Sequence, residues 1–168
     1  MAKSSNITIL GIDPGFADTG FGIIKKQGEK IIPVDYGSIQ TVAKQPFEDR
    51  LFYIYTQTLS LLKNYRPDYI AIEELFFFRN TTTVIKVSQA RGVIILAAKQ
   101  TKTPIYEFTP LQIKQALTGY GRADKNQMGN MVKAILNLDK IPKPDDASDA
   151  LAAALCCLSS LKMKKLGK

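Results

Sequence analysis

Three β-rich runs fill the first forty residues of the chain, and no helical pattern interrupts them. The runs are Ile7–Asp13, Thr19–Lys26 and Ile31–Gln40, joined by the turn-like segments Pro14-Gly15 and Gln27-Gly28-Glu29. Consecutive strands with such short connections pair in an antiparallel manner. The sequence therefore predicts an antiparallel meander, which any fold of this chain has to accommodate.

Helical and strand patterns alternate after this meander. A buried strand is predicted at Tyr69–Glu73, because its apolar residues show little polar alternation, and a further strand at Pro104–Phe108. Helices are predicted at Pro46–Tyr65, Thr82–Gln100, Pro110–Leu117, Lys125–Asn137 and from Asp145 to about Leu161. This order of elements, βββαβαβα with extra helices, predicts an α/β fold with a mixed β-sheet of about five strands flanked by helices.

Length and charge limit what the chain can do. Its 168 residues predict a single domain, residues 1–161, followed by a basic and flexible tail, residues 162–168. The formal net charge of +8 indicates a polyanionic partner such as DNA or RNA, although the same surplus can serve solubility alone. A domain of this size leads us to expect one active site.

Composition excludes several classes of protein. The chain has no histidine, and its two cysteines, Cys156 and Cys157, are adjacent, so it offers neither a zinc site nor a disulfide framework. We expect buried, reduced thiols. The longest apolar run, Ala150–Leu158, is far shorter than the roughly 20 residues that span a bilayer, and the first residues lack the apolar core of a signal peptide. These features predict a soluble, cytoplasmic protein.

Four acidic residues stand at the ends of predicted elements. Asp13 ends the first strand, and Glu73 ends a buried strand that, if it lies beside the first, brings both carboxylates to one end of the sheet. Asp146 and Asp149 are three residues apart, which places them on one face of the last helix. Each acid also has a structural interpretation, as a turn residue or an N-cap. Asp149 lies beyond the cap on an apolar helix, where a carboxylate needs a partner.

A cluster of four carboxylates needs cations to offset its self-repulsion. Hard oxygen ligands suit Mg²⁺, for which Mn²⁺ can substitute, so the acids predict their own cofactor. Two such ions about 3.5–4 Å apart can activate a water, hold a scissile phosphate and stabilise the leaving oxygen. The predicted chemistry is phosphodiester hydrolysis with two ions per subunit.

An ordered set of four motifs runs through the chain: Gly11–Gly15, Ala71–Phe76, Gln89–Val93 and Asp146–Ala152. Together they resemble the RuvC family of bacterial Holliday junction resolvases, which are crossover junction endodeoxyribonucleases of the ribonuclease-H-like superfamily. The resemblance covers nearly the whole chain with similar spacing. Any single motif is weakly specific, whereas the ordered set is quite specific.

The resemblance implies an activity and assigns it to residues. It implies paired symmetric nicks in four-way DNA junctions during recombination and repair, made by a metal-dependent homodimer that works with the branch-migration proteins RuvA and RuvB. The matched catalytic and metal-binding acids are Asp13, Glu73, Asp146 and Asp149. Glu74 and Asp145 stand beside matched acids; neighbouring strand residues face opposite sides, so only one of Glu73 and Glu74 can join the cluster. Some relatives carry a histidine near the final acid, which this chain lacks.

Predicted DNA contacts rest on the same resemblance. The aromatic run Phe76–Phe78 can stack on unpaired bases or pack in the core, and the family places a base-contacting phenylalanine at Phe76. Lys114 and Lys125 match lysines near the cleaved phosphate, although each would otherwise be an ordinary solvated charge. Three further cations are expected to make binding depend steeply on salt: Arg122, Lys133 and Lys86.

The predicted helix Thr82–Gln100 is apolar over much of its circumference, more than one core-facing stripe requires. It is either a subunit interface or a central helix. A homodimer is the economical arrangement for two symmetric nicks, because a two-fold axis relates its two sites.

Three other functions remain open at this stage. Actin-like and sugar-kinase ATPases also begin with a strand, an aspartate and a glycine turn, but they need two such domains. A ribonuclease-H-like nuclease acting on another nucleic acid, as in RNA processing, would share the acids. A noncatalytic junction-binding protein would be expected to have lost one of the four, and none is missing.

Overall fold

The computed structural model describes residues 6–74 and 81–166, so the predicted base contact at Phe76 lies outside the described residues. The described residues form five strands and five helices. The strands are β1 Ile7–Asp13, β2 Asp18–Gln27, β3 Lys30–Gln40, β4 Tyr69–Glu73 and β5 Ile105–Phe108. The helices are α1 Phe47–Tyr65, α2 Thr81–Gln100, α3 Pro110–Thr118, α4 Lys125–Ile135 and α5 Asp145–Leu166.

The predicted order of elements is confirmed, but the ends of two helices differ by two residues or more. Helix α4 ends at Ile135, because Asn137 adopts a left-handed φ of 50° that a helix cannot continue. The predicted end of the last helix near Leu161 was wrong, since α5 continues to Leu166. Leu161 still packs against the core there, and the following lysines and methionine are good helix formers. The flexibility of residues 162–168 stays a prediction.

The strands form one mixed sheet in the order β3-β2-β1-β4-β5. Strands β1, β2 and β3 are antiparallel neighbours, which confirms the predicted meander, while β4 pairs with β1 and with β5 in parallel. Ile12 of β1 pairs with Ile72 of β4. Asp13 and Glu73, the next residue along each strand, therefore end neighbouring strands at the same edge of the sheet.

Helices cover both faces of the sheet. Along β1, Ile9 packs into a core shared with α3, α4 and α5, whereas Leu10 and Ile12 pack into a core shared with α1 and α2. Because successive strand residues face opposite sides, Asp13 follows Ile9 onto the α5 face. The same alternation along β4 brings Glu73 to that face. Both strand-end acids therefore face α5.

Glycines in β1 and β2 allow α5 to approach the sheet more closely than side chains would permit. A Cβ atom at Gly11 would lie 1.9 Å from the carbonyl oxygen of Ala150, and one at Gly20 would lie 2.0 Å from that of Asp146. A Cβ atom at Gly22 would lie 2.6 Å from the side chain of Leu151 in the same helix and 2.8 Å from its backbone nitrogen. No real side chain tolerates such distances, so the backbones of β1, β2 and α5 are in direct contact. This contact brings the start of α5 to the end of β1.

Two expectations from composition can be checked in the fold. Cys156 and Cys157 are both buried in α5, as expected, and burial raises the pKa of the Cys156 thiol to about 11. No helix in the described part of the chain combines the length and apolar character that crossing a bilayer requires.

Candidate active site

Three of the four predicted acids meet where β1 ends and α5 begins. Asp13, Asp146 and Asp149 each place a carboxylate oxygen within 4.8 Å of the others. Asp13 comes from β1, and the other two come from the N-terminal part of α5, which the glycine contacts hold against the strands. We call these three residues the carboxylate trio. A set of oxygen donors at this spacing suits a hard divalent cation.

Glu73 approaches the trio from the end of β4 but lies outside its close spacing. Burial, followed by the charge of Asp149, raises the pKa of Glu73 to about 7. The backbone of its neighbour Glu74 instead extends the pairing of β4 with β5: the N–H group of Glu74 donates a hydrogen bond to the carbonyl oxygen of Phe108 at 2.8 Å. Of the two adjacent glutamates, Glu73 is therefore the one that interacts with the trio.

Burial and mutual repulsion make the acids difficult to ionise. Burial, and after it the charges of Glu73, Asp149 and Asp146, raises the pKa of Asp13 to about 8. Burial is also the main cause of the raised pKa values of Asp146 and Asp149. A bound metal ion would bring positive charge next to these carboxyl groups, and that charge would favour their deprotonated form. The donor set and its electrostatics therefore fit a divalent cation.

Both predicted lysines lie near enough to these acids for their charges to act on the acids' pKa values. The Nζ atom of Lys125 lies 3.3 Å from Oδ2 of Asp145 and 3.6 Å from Oδ2 of Asp149. Lys125 thereby opposes the rise that burial causes in the pKa of Asp149. Lys114 on α3 opposes the corresponding rise in the pKa of Glu73. The lysines thus stand beside the acids, and their contacts to DNA stay predictions.

Capping boxes fix the starts of the helices that carry the lysines. The Thr109 side chain accepts a hydrogen bond from the backbone N–H of Gln112, whose side chain accepts one from the backbone of Thr109. Asp124 and Gln127 make the same reciprocal pair at the start of α4. Such pairs satisfy otherwise unpaired N–H groups at a helix start. Lys125 follows Asp124 directly, so its backbone is well fixed.

The structure adds site residues that the sequence did not single out. Asp18 opens β2, and its charge adds to the effect of burial on the pKa of Asp146. Its Oδ1 is buried and has no hydrogen-bond partner in the part of the chain that the structure describes. Lys143 lies 2.5 Å from Oδ1 of Asp145. The only sequence signal was for Asp18, as an acid just after the Asp13-Pro14-Gly15 turn.

An open cavity of about 310 Å³ adjoins the trio on the α4 side. Asp149 lines this cavity together with Lys125, Lys143 and Asp145. Cations that attract a phosphate therefore share one recess with Asp149, an acid of the trio. This combination is what phosphodiester chemistry needs.

Comparison with known proteins gives a consistent result. Residues 9–157 match the family described as crossover junction endodeoxyribonuclease RuvC. A protein of that description from Desulfitobacterium hafniense is 54% identical over 155 residues, which cover 92% of this chain and 94% of the relative. The structure of Thermus thermophilus RuvC in complex with a Holliday junction substrate is 34% identical, covers 94% of this chain and 96% of that chain, and has a TM-score of 0.90.

A more distant structure shows the same architecture. A yeast mitochondrial Holliday junction resolvase is 14% identical, covers 94% of this chain and 80% of its own, and has a TM-score of 0.69. At that identity the likeness concerns the fold alone. The predicted ribonuclease-H-like α/β fold is confirmed.

Proposed function

The chain belongs to the RuvC family of crossover junction endodeoxyribonucleases, and we propose that its carboxylate trio, together with Glu73, is the site that cuts DNA. The chain is a nuclease that resolves Holliday junctions in DNA recombination and repair. The observation that carries the site assignment is the meeting of Asp13, Asp146 and Asp149 in one partly buried, mutually repelling group.

The proposed cofactor is Mg²⁺, with Mn²⁺ as a substitute and two ions in each subunit. The four acids of the site offer only oxygen donors, and the unpartnered buried oxygen of Asp18 adds negative potential beside Asp146. A bound divalent cation would supply Lewis-acid stabilisation of the scissile phosphate and help to activate the attacking water. The chain itself positions the four acids: the ends of two strands carry Asp13 and Glu73, and α5 carries Asp146 and Asp149.

Lys114 and Lys125 are proposed to bind the phosphate next to the bond that breaks. Both lie close enough to the acids to affect their pKa values, and Lys125 lines the adjoining cavity. An ammonium group attracts a phosphate as a point charge and offsets the charge that develops on it in the transition state. Phe76 is proposed to stack on a base that is unpaired at the junction, on the strength of the family resemblance.

We also propose that the protein works as a homodimer and that α2 forms the contact. Ile85 and Leu96 are 60% and 58% exposed. They lie about three turns apart on one side of α2, and Gly92 between them leaves open space. The opposite side of α2 is already packed in the core through Ala90 and Ile94. The exposed apolar side suits a second copy of the chain. RuvA and RuvB as partners complete the proposal by family resemblance, together with the cytoplasmic location predicted from composition.

A labelled four-way junction tests the assignment of the site. With Mg²⁺, the wild-type protein should make paired nicks at symmetric positions, whereas Asp146→Asn should bind the junction without cutting it. Asp139→Asn removes an exposed acid beyond the other end of α4 and should leave cutting intact. Normal cutting by Asp146→Asn would remove the trio from the mechanism. Equal cutting of linear duplex would contradict junction selectivity.

The base contact needs a separate experiment. A Phe76→Ala protein should bind the junction but resolve it more slowly, because stacking on an exposed base would be lost. Resolution at the wild-type rate would rule out the stacking role.

A further inference from the structure

The Lys125 ammonium is shared between two carboxylates that belong to different groups. One partner, Asp149 at 3.6 Å, is a member of the carboxylate trio. The other partner, Asp145 at 3.3 Å, is not in the trio and faces the adjoining cavity. Asp145 has Lys143 on its second oxygen at 2.5 Å, so each of its oxygens has a cationic partner.

A divalent cation on the trio would conflict with this arrangement. It would place two positive charges against Asp149, the carboxylate that Lys125 contacts, and like charges at a few ångströms repel each other. The Asp124 capping box fixes the backbone at Lys125, so the side chain is the part that can respond. That side chain is more than half exposed and has a flexible four-carbon stem. Asp145 offers a second anion within reach of the same ammonium.

We propose that Lys125 is an internal counter-cation of the carboxylate trio, and that Asp145 is the positioning residue that retains its ammonium when a divalent cation binds Asp149. This inference rests on the metal site of the proposed function. Without a divalent cation, Lys125 offsets part of the repulsion among the acids. With the cation bound, Asp145 keeps Lys125 beside the cavity, where an incoming phosphate would meet it.

The other two lysines of the site, Lys114 and Lys143, do not bridge Asp145 and an acid of the trio as Lys125 does. Lys143 contacts Asp145 and makes no ion pair with Asp149. The charge of Lys114 lowers the pKa of Glu73, and Glu73 lies outside the trio. Lys143 therefore keeps Asp145 in place, and Lys125 is the lysine that competes with a metal ion.

The inference can be tested by Mn²⁺ binding to the full chain in the absence of DNA, measured from the electron paramagnetic resonance signal of free Mn²⁺. The proteins compared first are wild type, Lys125→Met, Asp145→Asn and the double variant. Lys125→Met should tighten Mn²⁺ binding roughly threefold to tenfold, because a competing cation is lost. Asp145→Asn should weaken binding by a similar factor in the wild-type background, since Lys125 is left on Asp149. In the Lys125→Met background its effect should be much smaller.

Lys143→Met is the matched control, because it removes the same charge from the other oxygen of Asp145. It should change Mn²⁺ affinity less than Lys125→Met does. If Asp145→Asn weakens binding equally in both backgrounds, Asp145 acts by its charge alone and the inference is overturned while the metal site stands. If the wild-type protein binds no Mn²⁺, the metal site of the proposed function fails, and the role of Lys125 fails with it.

Discussion

Asp13 lies directly opposite Gly20 in the antiparallel pairing of β1 with β2. The absence of a side chain at Gly20 leaves the space that the backbone of Asp146 occupies, since a Cβ atom there would lie 2.0 Å from the Asp146 carbonyl oxygen. One strand pair therefore supplies an acid of the trio and also seats the helix that carries the other two. The geometry of the trio depends on a residue that has no functional group.

Replacing Gly20 by alanine should disable the site more than it damages the fold. The start of α5 must move to admit the methyl group, and a shift of about 1 Å in reacting groups can cost on the order of a hundredfold in rate. We expect a loss of about 1–3 kcal/mol in the free energy of unfolding, measured in urea, which is typical of overpacking. Junction cleavage with Mg²⁺ gives the rate.

Gly37→Ala, on β3, provides the control for this substitution. A Cβ atom at Gly37 would lie 3.1 Å from the ring of Phe21, a side chain that can shift slightly, so the change should leave the position of α5 and cleavage intact. Wild-type cleavage by Gly20→Ala would show that the position of α5 does not limit the reaction.

The two adjacent glutamates at the end of β4 should respond very differently to substitution. Glu73→Gln removes a partly buried charge that interacts with Asp13 and Asp149, so cleavage should fall by on the order of a hundredfold or more, as expected for a lost electrostatic contributor. Glu74→Gln should cleave within a few-fold of wild type. Single-turnover cleavage of a labelled junction separates the two, and equal losses would assign no special role to Glu73.

The metal-free protein should lose stability as pH rises. Burial and neighbouring charges raise the pKa of Asp13 from 3.8 to about 8 and that of Glu73 from 4.5 to about 7 in the folded state. Between the unfolded and folded values the native protein holds the extra protons, so the free energy of unfolding falls with pH across this window. The slope is at most ~1.4 kcal/mol per pH unit for each proton. Urea unfolding in EDTA at a series of pH values measures it.

Asp13→Asn should flatten this pH dependence and make the metal-free protein more stable at pH values near 8, although it abolishes cleavage. The reason is that an amide in this partly buried position carries no charge to desolvate. A slope in Asp13→Asn equal to that of the wild type would show that Asp13 ionises normally.

Oligomeric state should depend on the exposed side of α2. Leu96→Glu places a charge in the proposed contact and should convert a dimer to a monomer in sedimentation equilibrium, with unchanged circular dichroism. Leu111→Glu is the matched control, because Leu111 is 54% exposed on α3. If both variants remain dimeric, another surface forms the contact.

A stabilising substitution is available away from the site. Arg66 ends α1 with φ at 44°, a left-handed conformation that costs a side-chain-bearing residue roughly 1–2 kcal/mol and glycine almost nothing. Arg66→Gly should therefore raise the free energy of unfolding by about 1 kcal/mol. Asn137→Gly, at φ 50°, should gain less because asparagine tolerates this region. Thermal unfolding measures both, and a loss of stability in Arg66→Gly would mean that the arginine side chain contributes more than the backbone strain costs.

Strand and helix periodicity was sufficient to predict most of the fold and the placement of Asp13 and Glu73. Both acids follow short apolar strands, and two-residue alternation assigns each to one face. The roles of Gly11 and Gly20 were not predictable, because a glycine within a strand indicates only a weak strand or a close approach. The partner that approaches is α5, which comes far later in the chain.

Apart from the family resemblance, nothing in the sequence could separate Asp145 from Asp146. Both acids open the last helix, and either is acceptable in a first helical turn. The distinction arises in the folded structure. Asp146 lies against Gly20 and near Asp18. Asp145 instead forms ion pairs with Lys125 and Lys143. A helix rotates by about 100° per residue, so neighbouring acids reach different surroundings.

The glycine contacts also determine which substitutions of a glycine can be suppressed by a second substitution elsewhere in the chain. The three atoms nearest to a Cβ atom at Gly129 would all be side-chain atoms of Ile141, the first at 2.7 Å, so a shorter residue at position 141 makes room for it. Gly11 and Gly20 instead face carbonyl oxygens of α5, and every amino acid carries that carbonyl. A larger residue at position 11 or 20 therefore has no intragenic suppressor in the side chains of α5.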